Sequence, residues 1–417
     1  MFLVYNLLIT ILAPIWVPWM WIRTRARKLQ PNWPERFGNY DIERRKDRKR
    51  VWFHAVSVGE VVAALPILAE VRAVLPDHEI ILSTTTSSGY STAQEKAKGY
   101  ADRVFYFPID IARFQLAAVQ RVQPSVVAIM ETELWFNFLW AAKVFDCRTM
   151  LINGRISDRS FKRSVWVKFF YKSLLRNMDR CLMQSAEDAS RIEQLGGQHV
   201  SVEGNCKFDQ AAANASADPA VWKQELGLNG SRVTLVVGST RGAEEEDFVI
   251  GALSADQQLV FAPRHLERAE ELLKKLQAKF GQVARRSKGE KGQVVLLDSY
   301  GELDSVYCVA DIVVIGGGFA NHGGQNLIQP LALGKPVLHG RWMQNFRDVT
   351  EMALRSGASL RCETQEQLRA AIQELRQDEV KRLSMGEAAA ELIRANVGAS
   401  RRYAEAIADE ANQFTAK

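Results

Sequence analysis

Several constellations in this 417-residue chain combine residue types and spacings that can do chemistry. Ser57-Val58-Gly59-Glu60 sets a hydroxyl, a glycine and a carboxylate side by side. Gly59 permits a tight turn and close approach of a ligand, and the free N–H groups of a helix start favour an anion. A carboxylate there can serve as a general base. The competing reading is a first-turn Glu that only stabilises its own helix. Glu131-Thr132-Glu133-Leu134-Trp135-Phe136-Asn137 offers two carboxylates, an indole and an amide, a set that resembles a sugar-binding surface. Its competing reading is a capped helix start with Trp135 in the core. Asn153-Gly154-Arg155, followed by Ser157, can bind a phosphorylated acceptor, unless Arg155 is merely solvated.

The second half of the chain carries groups suited to phosphate. Gly238-Ser239-Thr240-Arg241-Gly242 follows the apolar run VTLVV, so backbone N–H groups and hydroxyls can hold a phosphate there. Glu244, Glu245, Glu246 and Asp247 come next and suit the first turn of a helix. Ala262-Pro263-Arg264-His265 closes another apolar run and adds a permanent cation and a titratable ring. The strongest signal is Gly316-Gly317-Gly318-Phe319-Ala320-Asn321-His322-Gly323-Gly324-Gln325-Asn326, with five glycines in nine positions between a predicted strand and a predicted helix. Such a loop lets N–H groups crowd around a phosphate at a helix start. Its spacing is neither G-x-G-x-x-G nor G-x-x-x-x-G-K-[ST]. No two Asp stand one residue apart, the six His form no H-x-x-x-H, and no G-x-S-x-G is present. The residues thus describe a metal-independent reaction on a nucleotide-linked substrate, with no cofactor.

The elements that must position these groups are legible as a rhythm. Short apolar runs at Val51–Val58, Glu79–Thr84, Val104–Phe107, Val126–Met130, Met150–Asn153 and Arg180–Gln184 alternate with helix-like sequence. The alternation restarts at Val233–Val237, Gln258–Ala262, Gln293–Leu297, Ile312–Ile315 and Val337-Leu338. Two α/β halves with parallel sheets follow from this, with a cleft between them and ligands at the carboxyl ends of strands. The expected boundaries are an anchor and basic flank at 1–28, a first domain at 29–209, an irregular linker at 210–230, a second domain at 231–390, and a C-terminal helix at 391–417. Hydrophobic residues at 47% and charged residues at 24% exclude wholesale disorder. A net charge of +6 suits an acidic membrane surface or phosphorylated ligands and is too weak to argue for nucleic acid. The five cysteines are far apart without C-x-x-C, which fits a reducing compartment.

Residues 2–22 contain no charge and are long enough to span a bilayer. Trp16, Trp19 and Trp21 precede a basic cluster of Arg23, Arg25, Arg27 and Lys28. The basic flank places the body of the protein in the cytoplasm, on the inner membrane. Pro14 and Pro18 weaken a straight spanning helix, and a monotopic helix in the inner leaflet is the alternative.

Taken in order, WFHAVSVGEV, METELWFN, LINGRISDRS, GNCKFD, GSTRGAEEE, APRHLER, DSYGELDSVY, GGGFANHGGQNLIQPLALGKPVLHG and QNF resemble the 3-deoxy-D-manno-octulosonic acid (Kdo) transferases of lipopolysaccharide assembly, almost end to end. The resemblance implies a GT-B fold of two Rossmann-like domains, with a C-terminal helix crossing back to the first. It implies inverting transfer of Kdo from a CMP-Kdo donor to the lipid A precursor lipid IVA, at the anionic inner-membrane leaflet and without nucleic acid. It makes Glu60 the general base and places Glu131 and Glu133 in the second acidic motif of the acceptor domain. Gly238, Ser239, Thr240, Arg264, Gly323, Gly324 and Asn326 fall in motifs expected to hold CMP, with Gly301 and Glu302 near the nucleotide. Ser57, Gly59, Asn153, Arg155, Lys207, Gln329 and Asn345 complete the implied binding set. The family carries Glu where Gln329 stands, and Pro followed by His or Asn where Arg341-Trp342 stand. Both departures bear on the donor and leave Glu60 untouched. The alternatives are a GT-B enzyme or epimerase acting on another nucleotide sugar, and a membrane-tethered binding protein without turnover.

Overall fold

The structure, a computed structural model, describes residues 1–26, 32–44, 47, 49–213 and 217–414. The chain divides into two compact units: residues up to Asp209 together with those from Gly398 onward, and Gln210–Val397.

The first unit holds a seven-stranded, all-parallel sheet in the order β3-β2-β1-β4-β5-β6-β7. The strands are β1 (Arg50–His54), β2 (Glu79–Thr84), β3 (Arg103–Tyr106), β4 (Val126–Met130), β5 (Arg148–Gly154), β6 (Arg180–Met183) and β7 (Val200–Val202). β1 and β4 are buried along their whole length, as parallel strands covered on both faces must be. Side chains alternate between two cores. Val51, Phe53, Val126 and Ala128 face the helix Val58–Val74 and the C-terminal helix Ala399–Gln413, which contributes Tyr403, Ala404 and Ile407. Trp52, Ile81, Val127 and Ile129 face the opposite layer, where the helix Phe136–Val144 supplies Phe138 and Leu139. The chain builds β1, β2 and β3 outward in one direction and then returns to lay β4 on the other side of β1. The loops leaving β1 and β4 therefore diverge at a topological switch point, where open α/β sheets bind ligands.

The second unit follows the same plan with one edge exchange, β11 lying inside β10: β10-β11-β9-β8-β12-β13-β14, all parallel. Its strands are β8 (Thr234–Thr240), β9 (Gln258–Pro263), β10 (Ala284–Arg285), β11 (Val294–Leu296), β12 (Ile312–Ile315), β13 (Val337–His339) and β14 (Ser359–Arg361). Here the switch point lies between β8 and β12.

Three segments differ from the expected organisation. Residues 210–230 are not an irregular linker: a helix Lys207–Ala213 runs through position 210, and Pro219–Leu226 forms another. The second is started by Asp218, whose carboxylate accepts the Ala220 N–H at 2.8 Å, followed by Pro219 at the first helical position. Residues 391–417 are not one helix. Glu379–Asn396 ends, Gly398 turns with φ 90°, and Ala399–Gln413 begins anew within the first unit. Asp209 fixes that start by accepting the Ser400 N–H at 2.8 Å and the Ser400 hydroxyl at 2.7 Å.

The N-terminus is a 25-residue helix, Phe2–Ala26, with Pro14 and Pro18 inside it. Among the described residues no helix is long and apolar enough to cross a membrane. Arg27 and Lys28 of the basic flank lie outside the described residues, as do the side chains of Trp16, Trp19, Trp21, Arg23 and Arg25. The first turn of the helix is seated on the first unit. Phe2 lies 4.2 Å from Trp140, and Tyr5 lies 5.3 Å from Phe136 and 5.7 Å from Phe170, ring to ring. The Tyr5 hydroxyl donates to Asp110 at 2.7 Å, and Asn6 exchanges amide hydrogen bonds with Asn137 at 2.8 and 3.0 Å. All five cysteines are buried, and no disulfide joins them.

Candidate active site

β1 delivers the chain to Ser57, which caps the helix Val58–Val74 in an extended conformation. Glu60 is the third residue of that helix, and its side chain folds back over the helix start. Its Oε2 accepts the Val56 N–H at 2.8 Å, and its Oε1 accepts the Ser57 hydroxyl at 3.1 Å. The Ser57 oxygen in turn accepts the Glu60 N–H at 3.5 Å. This reciprocal cap is the helix-stabilising role set against catalysis in the sequence. It does not exhaust the carboxylate, because each oxygen keeps a further lone pair. Glu60 is 9% exposed. Its pKa is pushed up to about 7: burial raises it most, the Glu131 and Glu133 carboxylates add to this, and the Val56 N–H and Ser57 hydroxyl oppose it. A base with that pKa is half-ionised near neutral pH, where proton transfer is most effective.

Glu131 and Glu133 leave the end of β4, the other side of the switch point. The Glu131 N–H donates to Ile152 O at 3.0 Å, and the residue takes a left-handed φ of 54°. A non-glycine residue held this way costs about 1 kcal/mol or more and is kept only where the surroundings impose it. The effect is to turn the carboxylates of Glu131 and Glu133 toward the same neighbourhood as Glu60. Burial and Glu131 raise the Glu133 pKa. Lys207 Nζ lies 3.9 Å from Glu131 Oε1, a counter-charge on one side of the acidic group.

Asn153, at the end of β5, is fully buried with φ 50°. Its Oδ1 accepts the Cys206 N–H at 3.3 Å, while its Nδ2 has no partner. Asn153 thus braces the segment that carries Lys207. Arg155 follows, half-buried. Trp135 is neither a bare sugar platform nor a plain core residue. It packs 5.9 Å from Phe107, and its buried Nε1 has no partner. Asn137, grouped in the sequence with a sugar-binding surface, is buried and bonds Asp110 O at 2.8 Å and Asn6.

In the second unit, Gly238, Ser239 and Thr240 belong to β8 itself and not to a loop after it. The register slips between Gly238 and Thr240, and Ser239 bulges with φ 62°. A Cβ on Gly238 would fall 2.0 Å from the Tyr307 hydroxyl, and one on Gly316 would fall 2.5 Å from the Thr240 backbone. Glycine at 316 lets the end of β12 close on β8 at the switch point, and glycine at 238 leaves room for the Tyr307 ring. Arg264 leaves the end of β9 with its N–H on Thr240 O at 2.9 Å, and its side chain is exposed.

The glycine-rich loop differs from its expected form. Glu245, wholly buried, accepts the N–H groups of Arg241 at 2.7 Å, Gly317 at 2.8 Å and Phe319 at 3.0 Å. Three donors that the sequence offered to phosphate are therefore held by a carboxylate of the protein. Its signal was present as one acid among four in the run Glu244–Asp247, where period alone did not single it out. No long helix opens at the loop either. The next helix, Ile328–Ala332, has five residues, and Asn326 Oδ1 accepts its Ile328 N–H at 3.1 Å. Gln329, in that helix, is half-buried. The Gly324 N–H bonds Gly317 O at 2.7 Å, and the Asn345 N–H bonds Gly323 O at 2.9 Å. Trp342 donates its N–H to Gly318 O at 3.0 Å, and the Arg341 guanidinium lies 4.6 Å from the Trp342 ring centre. Gly301 is exposed, with φ 82°. Glu302 is committed to Arg286, whose Nη2 approaches to 2.7 Å and holds the carboxyl below its usual range. Arg286 also pairs with Glu225 at 2.8 Å, tying the helix Pro219–Leu226 to Glu302.

The structure thus gathers Glu60, Glu131, Glu133 and Lys207, braced by Asn153, in the first unit. In the second it gathers Gly238, Ser239, Thr240, Arg264, Gly316 and the glycine-rich loop, with Gly301 and Glu302 carried on a separate ion-paired segment.

The model of the 3-deoxy-D-manno-octulosonic-acid transferase (kdotransferase) family matches residues 31–210. A 3-deoxy-D-manno-octulosonic acid transferase of Bordetella pertussis is 34% identical over 97% of this chain and 98% of its own length. One from Haemophilus influenzae is 29% identical over 88% of each chain. Among solved structures, a UDP-GlcNAc 2-epimerase from Neisseria meningitidis aligns with a TM-score of 0.63 at 11% identity, covering 88% of this chain and 100% of that one. A glycosyltransferase from Rickettsia africae aligns with a TM-score of 0.60 at 12% identity, covering 90% and 100%. These two likenesses show a GT-B-like fold alone and do not separate an epimerase from a transferase. The sequence relatives do separate them: the chain belongs to the 3-deoxy-D-manno-octulosonic acid (Kdo) transferase family and is a glycosyltransferase.

Proposed function

We propose that the protein is an inverting, metal-independent transferase that moves Kdo from CMP-Kdo to a hydroxyl of lipid IVA in lipopolysaccharide core synthesis. The observation that carries the reading is Glu60, a buried carboxylate at the β1/β4 switch point with its pKa near 7. As the acceptor oxygen attacks the anomeric carbon of Kdo, its proton passes to Glu60. The bond from that carbon to the CMP phosphate breaks on the opposite face, and the phosphate leaves with the electron pair. Glu131 and Glu133 keep Glu60 basic enough to take the proton, and Lys207 limits the repulsion among the three. In the second unit the exposed guanidinium of Arg264 supplies positive charge for the leaving phosphate. The lack of two Asp at one-residue spacing is what supports a reaction without metal. The domain assignment follows: acceptor and base in the first unit, nucleotide in the second.

We also place the enzyme on the cytoplasmic face of the inner membrane, with the N-terminal helix lying in the leaflet and not across it. Phe2, Tyr5 and Asn6 hold one end of this helix on the first unit. Beyond the other end, the chain rejoins the same unit, where Glu35 accepts the Tyr106 N–H at 2.7 Å and Arg36 donates to Thr85 O at 2.7 Å. A spanning helix would carry its first turn to the far side of the bilayer.

The test is a mass-spectrometric transfer assay with CMP-Kdo generated in situ, lipid IVA as acceptor, and EDTA added once the donor has formed. A product heavier by one or more Kdo units is expected. Its absence with folded protein would overturn the assignment of donor or acceptor.

A further inference from the structure

The helices Asp158–Trp166 and Lys168–Leu175 meet at Val167. Their inner faces are well used: Ser164, Leu174 and Leu175 are buried, and Phe161, Phe170 and Tyr171 pack against the core of the first unit. The outer corner is different. Val165, Trp166, Val167 and Phe169 are all exposed, Trp166 by 87% and Phe169 by 63%. Single exposed apolar residues are ordinary, but four within five positions form a patch that calls for a partner. Around it stand Arg159, Lys162, Arg163, Lys168, Lys172 and Arg176, all exposed, and no carboxylate occurs from Arg159 to Arg176. Asp158, just before this run, pairs with Arg191, as does Glu187. The patch also adjoins the N-terminal helix. Phe170 lies 5.7 Å from Tyr5 and 5.6 Å from Phe136, the ring against which Tyr5 packs, and Leu3, Leu7, Ile11 and Ile15 of that helix are exposed.

We propose that the corner formed by Val165, Trp166, Val167 and Phe169 is a second lipid-contacting element, which inserts into an anionic phospholipid leaflet beside the N-terminal helix. The proposal rests on the reading of the enzyme as membrane-bound. A Trp flanked by cations is the residue set that the headgroup boundary accommodates best. Each cation close to an anionic surface multiplies the partition about fivefold. A helix held by one turn leaves the catalytic unit free to swivel. A second contact fixes which face of that unit meets the lipid.

The test uses the full-length protein with Trp166→Cys carrying an environment-sensitive fluorophore. The five native cysteines are buried, so the new thiol reacts selectively. Vesicles of phosphatidylglycerol and phosphatidylethanolamine are added, with and without brominated acyl chains. On binding, the label at position 166 shifts to the blue and is quenched by bromine, while the same label at Val380→Cys, exposed on the second unit, does neither. A label at 166 that stays water-exposed while the protein floats with the vesicles overturns the proposal and leaves the membrane reading standing. Failure of the wild-type chain to float overturns both. A blue shift that follows protein concentration without vesicles assigns the patch to self-association and overturns it. In parallel, the Trp166→Ser/Phe169→Ser double variant partitions about tenfold more weakly onto anionic vesicles, with transfer to detergent-dispersed acceptor unchanged. Unchanged partition again overturns the proposal.

Discussion

The two switch points of this molecule share a topology and differ in how they treat a buried carboxylate. At β8/β12, Glu245 receives three backbone N–H groups. At β1/β4, Glu60 receives one backbone N–H and one hydroxyl, and faces Glu131 and Glu133. A carboxylate saturated with donors is a structural pin. One given fewer donors and set beside like charges keeps its proton near neutral pH and is available for transfer chemistry. Donor count separates the two sites: three backbone N–H groups on Glu245 against one N–H and one hydroxyl on Glu60.

The sharpest way to break this comparison is Glu60→Gln. It should lower transfer about 10²–10⁴-fold and leave CMP binding by calorimetry unchanged; a rate near wild type would remove Glu60 as the base. The wild-type rate should fall as pH drops below about 7, because the base is then protonated.

Glu245→Ala leaves three N–H groups without that acceptor, one buried and two partly buried. It should cost about 3 kcal/mol in denaturant unfolding of the second unit, whereas Glu60→Gln should not destabilise. Equal losses at the two sites would erase the distinction.

Linkage gives a related prediction. The folded pKa of Glu60 is raised from 4.5 to about 7, so its stabilising contribution is complete below pH 4.5 and is lost as pH rises through 7. The loss amounts to about 3 kcal/mol at most. Glu60→Gln should flatten the stability curve over that window, measured by chemical unfolding at fixed pH.

A smaller effect is expected where the N-terminal helix is clasped. Tyr5→Phe removes a donor from buried Asp110 and should cost about 1 kcal/mol. Removing residues 1–22 should cost more than Tyr5→Phe, because Asn137 also loses Asn6; thermal unfolding of the two variants would show whether the helix is part of the catalytic unit.

Much of the sheet was legible because buried parallel strands are short uninterrupted apolar runs. β2, β4 and β12 lie at the expected limits of Glu79–Thr84, Val126–Met130 and Ile312–Ile315. β7, β10 and β14, of two or three residues, are too short to display a period, and none was anticipated. Residues 210–230 looked irregular because they are small and polar, yet Asp218-Pro219 is a strong helix start whose weight shows only when Leu226 is buried. Glu60, Glu131 and Glu133 were legible as candidates because each stands just beyond an apolar run. Glu245 was not, because its partners Gly317 and Phe319 are more than seventy residues away.

Local pattern was thus sufficient for the alternation of strand and helix, the two-unit plan and the order of the motifs, since these depend on side-chain period and on short-range turn chemistry. Tertiary structure alone decided which carboxylate is filled with backbone donors and which keeps acceptor capacity beside other acids, and that the N-terminal helix is bolted to the unit it was expected only to tether. Charge proximity, donor count and the burial of Asp110 and Asn137 are properties of residues brought together across long stretches of chain, and no local window contains them.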